Sequence, residues 1–600
     1  MSNILKPNQN LLRNLLSLYQ NKDYANAENL ALSISQKYPN HKYAWKILAA
    51  VFEQTNRNLE ALKANQNALK IDPYDPEIYL CLGNNFHHQD KLEDAEINYK
   101  KAIDLNPNYL QALYNLGSIL KKKQQFTDSV SLFQKVINLK PDFVNGYYSL
   151  GLTLIELGEL STALVNLKKV IELKPDYPQA FFHLGIVYRK LGKRIEALEN
   201  FQQSINLNPN YIKAYNLLGV TLKELGRYEE ALENLKSAIN LNPNYVEAYN
   251  NLGNAFKELG RFEESNLYFR KAIDLKPDYA EAHNNLGRAL MLNLDFQKAF
   301  EFMEWRLRRD EKNFIPLNTS KPRWDGLSKH RVFVWREQGI GDWIMFSSMI
   351  SELHVSVEKV IVECDPRLIP LVQRSFSHEI RFIADRTDIT KDDYDSHTPI
   401  GSLPFYFRKT LHDFKATSEG WLQADLERVQ SIKEKILQNK SNKIVGFSWK
   451  TKSSLTQAFQ RNIKLEDLLL PLKNLDLKFV NLQYGDVSEE ISDLKMCHGI
   501  DVLEVPDLDI FNDIDGLTAL ILACDCVISI DNLIPHFAGA LGVKTMLLLP
   551  KAADERWGLE QSKSYLYDSL VLHRQSLRND WNEPLKKMKN NIENLFSKRT

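Results

Sequence analysis

Four loops in the second half of the chain carry side chains able to do chemistry. In REQGIGDWIMFSSMI, the apolar run VFVW enters a loop with Gly339 and Gly341, ahead of a helix starting near Asp342. Glycines let a ligand approach backbone closely, and a carboxylate there can take a proton from a hydroxyl. A plain strand-to-helix turn with Asp342 as N-cap explains the same residues. In GFSWKTKSSLTQAFQRNIKL, Lys450, Lys452 and Arg461 lie among Ser and Thr after an apolar run, a composition that suits an anionic ligand or a solvated basic loop. NLQYGD ends a run at Gln483 and Gly485 and specifies little alone. SIDNLIPHFAGALGVKTMLLLP sets Asp531 and His536 around a helix start, where free amides and the helix dipole attract phosphate oxygens. His536 as a core or capping histidine is the plainer alternative. The strings at Asp507 to Asp509 and Asp513 to Asp515 precede a helix and read as caps rather than metal ligands.

These loops need a scaffold. From Arg331 onward, VFVW, KVIVE, KIVGFSW, LKFVNLQ, CVISI and KTMLLLP alternate with helical segments, the pattern of an α/β parallel sheet. The charged segment DLERVQSIKEKILQNKSNK separates two such groups, about 331–425 and 442–575. Two Rossmann-like lobes are expected, with ligands outside the carboxyl ends of the strands.

The first half follows another rule. Pro39, Pro73, Pro107, Pro141, Pro175, Pro209, Pro243 and Pro277 recur every 34 residues, and Gly83 to Gly287 and Ala27 to Ala299 keep the same period. The unit NPNYVEAYNNLGNAFKELGRFEESNLYFRKAIDLKPDY resembles the tetratricopeptide repeat. Proline ends the second helix, and the small residues let the two helices of a unit approach. Stacked units over about 10–310 predict an all-α, right-handed solenoid with a concave groove. Asn115, Asn216, Asn250, Asn251, Asn284 and Asn285 precede the Leu-Gly pairs on the helices expected to line it. Amides there can bond a peptide backbone; a chain simply rich in Asn gives the same row. The period fails after Ala299, where FEFMEWRLRRDEKNFIPLNTSKPRWDGLSKH reads as a capping helix and a polar connection, placing a boundary near 315.

Taken together and in order, WDGLSKHRVFVWREQGIGD, WKTKSSLTQAFQRNIKL, LQYGD, SIDNLIPHFAGALGVKTMLLLP, ERWGLEQSKSYLYDSLVLHRQ and WNEPLKKMKNNIENL, with EWRLRR before them, resemble the tetratricopeptide-linked members of glycosyltransferase family nine, which includes the heptosyltransferases. The resemblance covers about 303–597 and implies a GT-B fold over 316–600. It also implies inverting sugar transfer from a nucleotide-sugar donor without a required metal or cofactor, and a last helix, 582–597, packing back on the N-lobe. By resemblance Asp342 is the general base, while Lys450, Arg461, Gln483, Asp531, His536 and Arg556 stand on the donor side. Asn532 and Leu533 depart from the family's Asp-Thr-small pattern, and Leu533 is bulky for a donor pocket.

Apolar residues at 44% and charged residues at 25% exclude wholesale disorder and collagen-like sequence. Lys and Arg balance Asp and Glu at 76 each, which removes the general field for nucleic acid. Five irregularly spaced cysteines suit a reducing cytoplasm, and no apolar run reaches the ~18 residues of a membrane span. The expected function is a cytoplasmic glycosyltransferase acting on a protein or glycan acceptor, with a peptide or protein in the repeat groove and groove and cleft as separate sites. A non-catalytic scaffold and a peptide O-GlcNAc transferase are the alternatives.

Overall fold

A computed structural model describes residues 7–308, 317–414, 420–437, 443–451, 461–559 and 561–597. The expected junction near 315 and Lys452 lie outside these residues. The chain forms two compact units, Met1–Thr221 and Leu222–Thr600, so the units divide inside the repeat array rather than where its period ends.

The first unit is built of antiparallel helix pairs, from Gln9–Gln20 with Tyr24–Lys37 to Pro178–Lys190 with Arg194–Leu207. From the third pair onward, the glycine on the first helix faces a large side chain on the second. A Cβ at Gly83, Gly117 or Gly185 would lie within 3.0 Å of the buried ring of Tyr99, Phe133 or Phe201. Ser129, in the small-residue phase, donates to the Gly117 carbonyl at 2.8 Å. The turns between paired helices carry a fourth clock that residue types conceal. Lys22, Asn56, Asp90, Gln124, Gly158, Gly192, Gly226, Gly260 and Leu294 all have positive φ, between 58° and 82°. This is the left-handed residue that ends a helix and redirects the chain.

The second unit begins with the further repeat helices Tyr228–Leu241, Val246–Glu258, Phe262–Leu275 and Ala280–Leu292, and a Cβ at Gly253 would again meet the buried ring of Phe269. The expected capping helix is the second helix of the final pair, Phe296–Met303, and it runs into a 3-10 turn over Glu304–Arg308. Two parallel sheets follow. The first, ordered β3-β2-β1-β4, contains β1 (Arg331–Trp335), β2 (Lys359–Glu363), β3 (Arg381–Ile383) and β4 (Ser396–Pro399). The second, ordered β10-β9-β8-β5-β6-β7, contains β5 (Lys443–Ser448), β6 (Leu477–Asn481), β7 (Val502–Leu503), β8 (Cys526–Ile530), β9 (Thr545–Leu549) and β10 (Leu570–Arg574). Their inner strands are buried on both faces, so the sequence reads as continuous apolar runs. The last helix, Asn582–Ser597, differs from expectation. Its buried Leu585, Met588 and Ile592 join the core that covers one face of the second sheet, with Phe479 and Met546, instead of returning to the first lobe.

Two substitutions test these packing rules. Gly185→Ala places a methyl against the Phe201 ring and should lower stability by about 1–3 kcal/mol. Gln124→Gly removes a side chain from a left-handed position that costs about 1–2 kcal/mol, and should raise it. Urea titration of both variants against wild type checks the two opposite shifts; equal midpoints would reject both rules.

Candidate functional site

The helix Ile340–Ser347 starts at the carboxyl end of β1 with Gly339 as its N-cap, so Asp342 lies in the first turn and is not the cap. The helix Ile534–Ala540 starts in the same way after β8. The two helices meet, since a Cβ on Gly341 would stand 3.3 Å from the His536 ring. Into this junction the turn Glu555–Trp557, after β9, projects Arg556. The Arg556 guanidinium donates through Nη1 to Asp342 Oδ1 at 2.8 Å and through Nε to Asp554 Oδ1 at 2.7 Å. Its Nη1 is also 3.4 Å from His536 Nε2. A guanidinium only donates, so Nε2 accepts, the proton sits on Nδ1, and Nδ1 donates to the Tyr567 hydroxyl at 2.8 Å. Beside them Asp531 Oδ1 accepts from the Trp557 indole at 2.9 Å, and Arg461 Nη1 stands 2.9 Å from Oδ2.

Burial and charge act against each other here. Burial alone would raise Asp554, but Arg556 and Arg288 outweigh it and hold the carboxyl well below its usual range. Burial works against the Arg556 charge, yet Asp554, Asp342 and Asp531 keep it firmly cationic. Burial raises Asp531 against the pull of Arg461. Burial and then the neighbouring Arg556 push His536 down to about 3, so the ring is neutral at physiological pH. What results is one carboxylate, Asp342, held in place by a permanent cation.

Asp342 and Arg556 line a cavity of about 280 Å³ with Glu337, Asp554 and, from the repeat helix Ala280–Leu292, Asn284 and Arg288. The groove row and the sheet loops, expected to be separate, share this wall. Arg288 donates to Glu555 through Nε and Nη2, the latter at 3.1 Å. The junction motif also serves the cavity. Arg306 pairs with Glu337 at 2.5 Å and bonds Ser402 Oγ at 2.9 Å, while Trp305 stacks on His283 of the same repeat helix with ring centres 3.9 Å apart. Reading the residues missed Arg288, Arg306, Glu337 and Asp554. Three of them had a local signal: Asp554 lies near Arg556, Glu337 is in the loop that carries Asp342, and Arg306 is in EWRLRR.

Other expected site residues lie elsewhere. Lys450 Nζ is paired with Glu490, which also accepts from the Trp449 indole at 2.7 Å. Gln483 is buried and accepts the backbone amides of Trp449 and Lys450 at 3.1 and 3.0 Å, tying β5 to β6. Asn532 caps its own turn, accepting from the Ile534 amide at 3.0 Å, and Leu533 packs toward Gly341. The asparagine row is largely spent between repeats: Asn115 donates to Asn84 at 2.8 Å and Asn285 to Asn250 at 3.0 Å. Asn216, Asn250, Asn284 and Asn285 are buried. Only Asn284 of the row lines the cavity beside Asp342. Asp513 caps the helix Ile514–Ala523, as expected, whereas Asp515 is buried and paired with Arg374 at 2.9 Å instead of capping or being solvated.

Tetratricopeptide repeat models match residues 12–76, 83–124, 110–143, 151–192, 178–211, 200–233, 221–260 and 253–293. Repeats of this kind therefore occupy about the first 300 residues. Protein FlbA of Caulobacter vibrioides is 29% identical over 275 residues, covering 42% of this chain and 46% of that protein. Protein O-mannosyl-transferase TMTC1 of Mus musculus is 30% identical over 124 residues, 19% of this chain and 13% of that protein. The chain thus spans less than half the length of these curated relatives. Among solved structures, MamA protein is 26% identical with a TM-score of 0.27, covering 28% of this chain and 91% of that one. The repeat fold suggests peptide or protein binding. Among the described residues, no helix is long and apolar enough to cross a membrane.

The buried neutral His536 sets a pH signature. Its ordinary pKa near 6.5 applies to the unfolded chain. Between that value and about 3, the unfolded state binds the extra proton. Stability from this group is complete above about pH 6.5 and falls by roughly 1.4 kcal/mol per pH unit as pH drops. His536→Gln should flatten the stability profile between pH 6.5 and 5 by about one proton. Chemical unfolding at three pH values measures the slope, and an unchanged slope would mean that His536 titrates normally.

Proposed function

We propose that the chain is a glycosyltransferase of GT-B organisation over 316–600, transferring a sugar from a nucleotide-sugar donor to a protein or glycan acceptor. The observation that carries this reading is the Arg556 bridge. It sets a carboxylate from the end of β1 against a cluster of paired arginines and aspartates at the strand ends of the second sheet, beside a cavity of about 280 Å³. Asp342 takes the proton of an acceptor hydroxyl. That oxygen attacks the anomeric carbon, and the bond from this carbon to the phosphate oxygen breaks with its electron pair leaving on the nucleoside diphosphate. Arg461 and Arg556 would balance the developing charge. The resemblance to glycosyltransferase family nine supports the same roles. The name of TMTC1 adds only that similar repeats accompany a protein glycosyltransferase, since the similarity lies in the repeats. The repeats are read as acceptor or partner binders.

A scaffold without catalysis is favoured by one observation: Arg461 and Arg556 are already paired with carboxylates of this chain. A nucleotide-sugar panel, including UDP-N-acetylglucosamine, separates the readings through donor binding and hydrolysis by the full chain. Asp342→Asn should cut turnover by about 10²- to 10⁴-fold. Nucleoside diphosphate affinity should hold or tighten, because Arg556 loses a carboxylate partner. Turnover within threefold of wild type would reject Asp342 as base, and inactivity of wild type with every donor would leave the scaffold reading.

A further inference from the structure

The last repeat departs from the others at one position that meets the lobes. The residue after the phased glycine is Asn84, Ser118, Leu152, Ile186, Val220 and Asn254 in the preceding repeats, none of them charged. In the helix Ala280–Leu292 it is Arg288. Its guanidinium donates to both carboxylate oxygens of Glu555, through Nε and, at 3.1 Å, through Nη2, and Nη2 stands 3.9 Å from Asp554 Oδ2. Glu555 keeps Arg288 firmly cationic against burial, and Asp554 adds to the effect.

A line of alternating charge results. It runs from Arg288 to Asp554 and Glu555, then to Arg556, and ends on Asp342. Arg288 does not itself bond Asp342 among the described residues, although both line the cavity of about 280 Å³. Asp554 and Asp342 instead hold two nitrogens of the same Arg556 guanidinium, so they share one positive charge. Asp554 and Glu555 keep only 10% and 9% of their side-chain surface. Carboxylates so enclosed need a cation, and with Arg288 gone both depend on Arg556. The turn would then draw Arg556 toward itself and away from Asp342.

We propose that Arg288 is a positioning residue for Asp342. By neutralising Glu555 and Asp554 it leaves Arg556 able to orient the Asp342 carboxylate, so a tetratricopeptide repeat completes the charge balance of the lobes. Stability of the array does not account for this arginine, because its hydrogen bonds and ion pairs all go to the turn after β9. A part in the reaction rests on the transferase reading; the placement of Arg556 does not.

Two measurements on the full chain test it, and the first needs no turnover. Eight of the nine tryptophans follow residue 300, so tryptophan fluorescence in urea tracks the second unit. Arg288→Gln should lower the urea midpoint, and by clearly less in an Asp342→Asn background, where Arg556 no longer has Asp342 to serve and can satisfy the turn. Equal shifts in the two backgrounds overturn the proposal whatever the activity. If Arg288→Gln does not fold, the pair Arg288→Gln with Glu555→Gln replaces it, since it leaves one unpaired carboxylate fewer, and the same comparison applies. The second measurement is turnover of a nucleotide sugar. Arg288→Gln should lower kcat by about tenfold to a hundredfold with little change in KM, as a misplaced base does. Arg288→Lys should restore most of that loss, and Asp342→Asn should abolish it. A raised KM with unchanged kcat would make Arg288 a binding residue and overturn positioning. Coupled urea midpoints with an inactive wild type would uphold the charge placement and reject the transferase reading. An active wild type with uncoupled midpoints would do the reverse.

Discussion

A single guanidinium ties together the two sheet lobes of the second unit. Arg556 bonds Asp342, which belongs to the first sheet's leading helix, and Asp554, which caps its own turn on the second sheet. Without it, Asp342, Asp531 and Asp554 would stand near one another with Arg461 and Arg288 to neutralise them. Breaking a buried ion pair by removing one partner costs about 3–5 kcal/mol. The same contact also fixes the His536 tautomer, because a group that only donates forces Nε2 to accept. Lobe geometry, carboxylate placement and imidazole protonation thus depend on one side chain, and any ligand that engages Arg556 must compete with all three.

The strands show where sequence reading works and where it stops. VFVW, KVIVE, KIVGFSW, LKFVNLQ, CVISI and KTMLLLP are the six inner strands, and they are legible because both faces of an inner parallel strand are buried. The four strands that sequence reading leaves out are β3, β4, β7 and β10, and each is a sheet edge. RFI, SHTP, VL and LVLHR are short or interrupted by polar residues, since an edge needs burial on fewer sides. The left-handed turn escaped for the opposite reason. Its position is strict, but Lys22, Gln124 and Leu294 occupy it as well as glycine, so identity does not report conformation.

In the site, the residues that sequence reading found are those on loops directly after inner strands: Asp342, Arg461, Asp531, His536 and Arg556. Arg288 and Arg306, which it missed, act across long sequence separations, and no spacing rule links residue 288 to residue 555; Glu337 sits on the loop after β1 itself, and only its distant partner Arg306 gives it a place in the site. The asparagine row fails differently. An amide on a repeat helix has the same appearance whether it faces a ligand or the next repeat, and Asn285 to Asn250 shows the second choice. Neighbouring repeats present the same residue at the same height, so an amide ladder between them satisfies donors and acceptors without any guest.

Period and folding unit are consequently different quantities. The 34-residue clock records how each helix pair meets the next, and it runs unchanged through Thr221 to Leu292. Compactness depends on total burial instead. From Leu222 onward the repeats gain a further partner through Arg288, Tyr228 and the His283–Trp305 stack, contacts that repeat periodicity does not encode. Terminal repeats of an array expose an apolar end that must be covered. Here the sheet lobes cover it, with Phe296 against Phe414 and Tyr565 at ring centres 4.6 and 5.2 Å apart. The covering surface brings Asn284 and Arg288 to the edge of Asp342's cavity, so the packing that finishes the array also places repeat side chains beside that carboxylate.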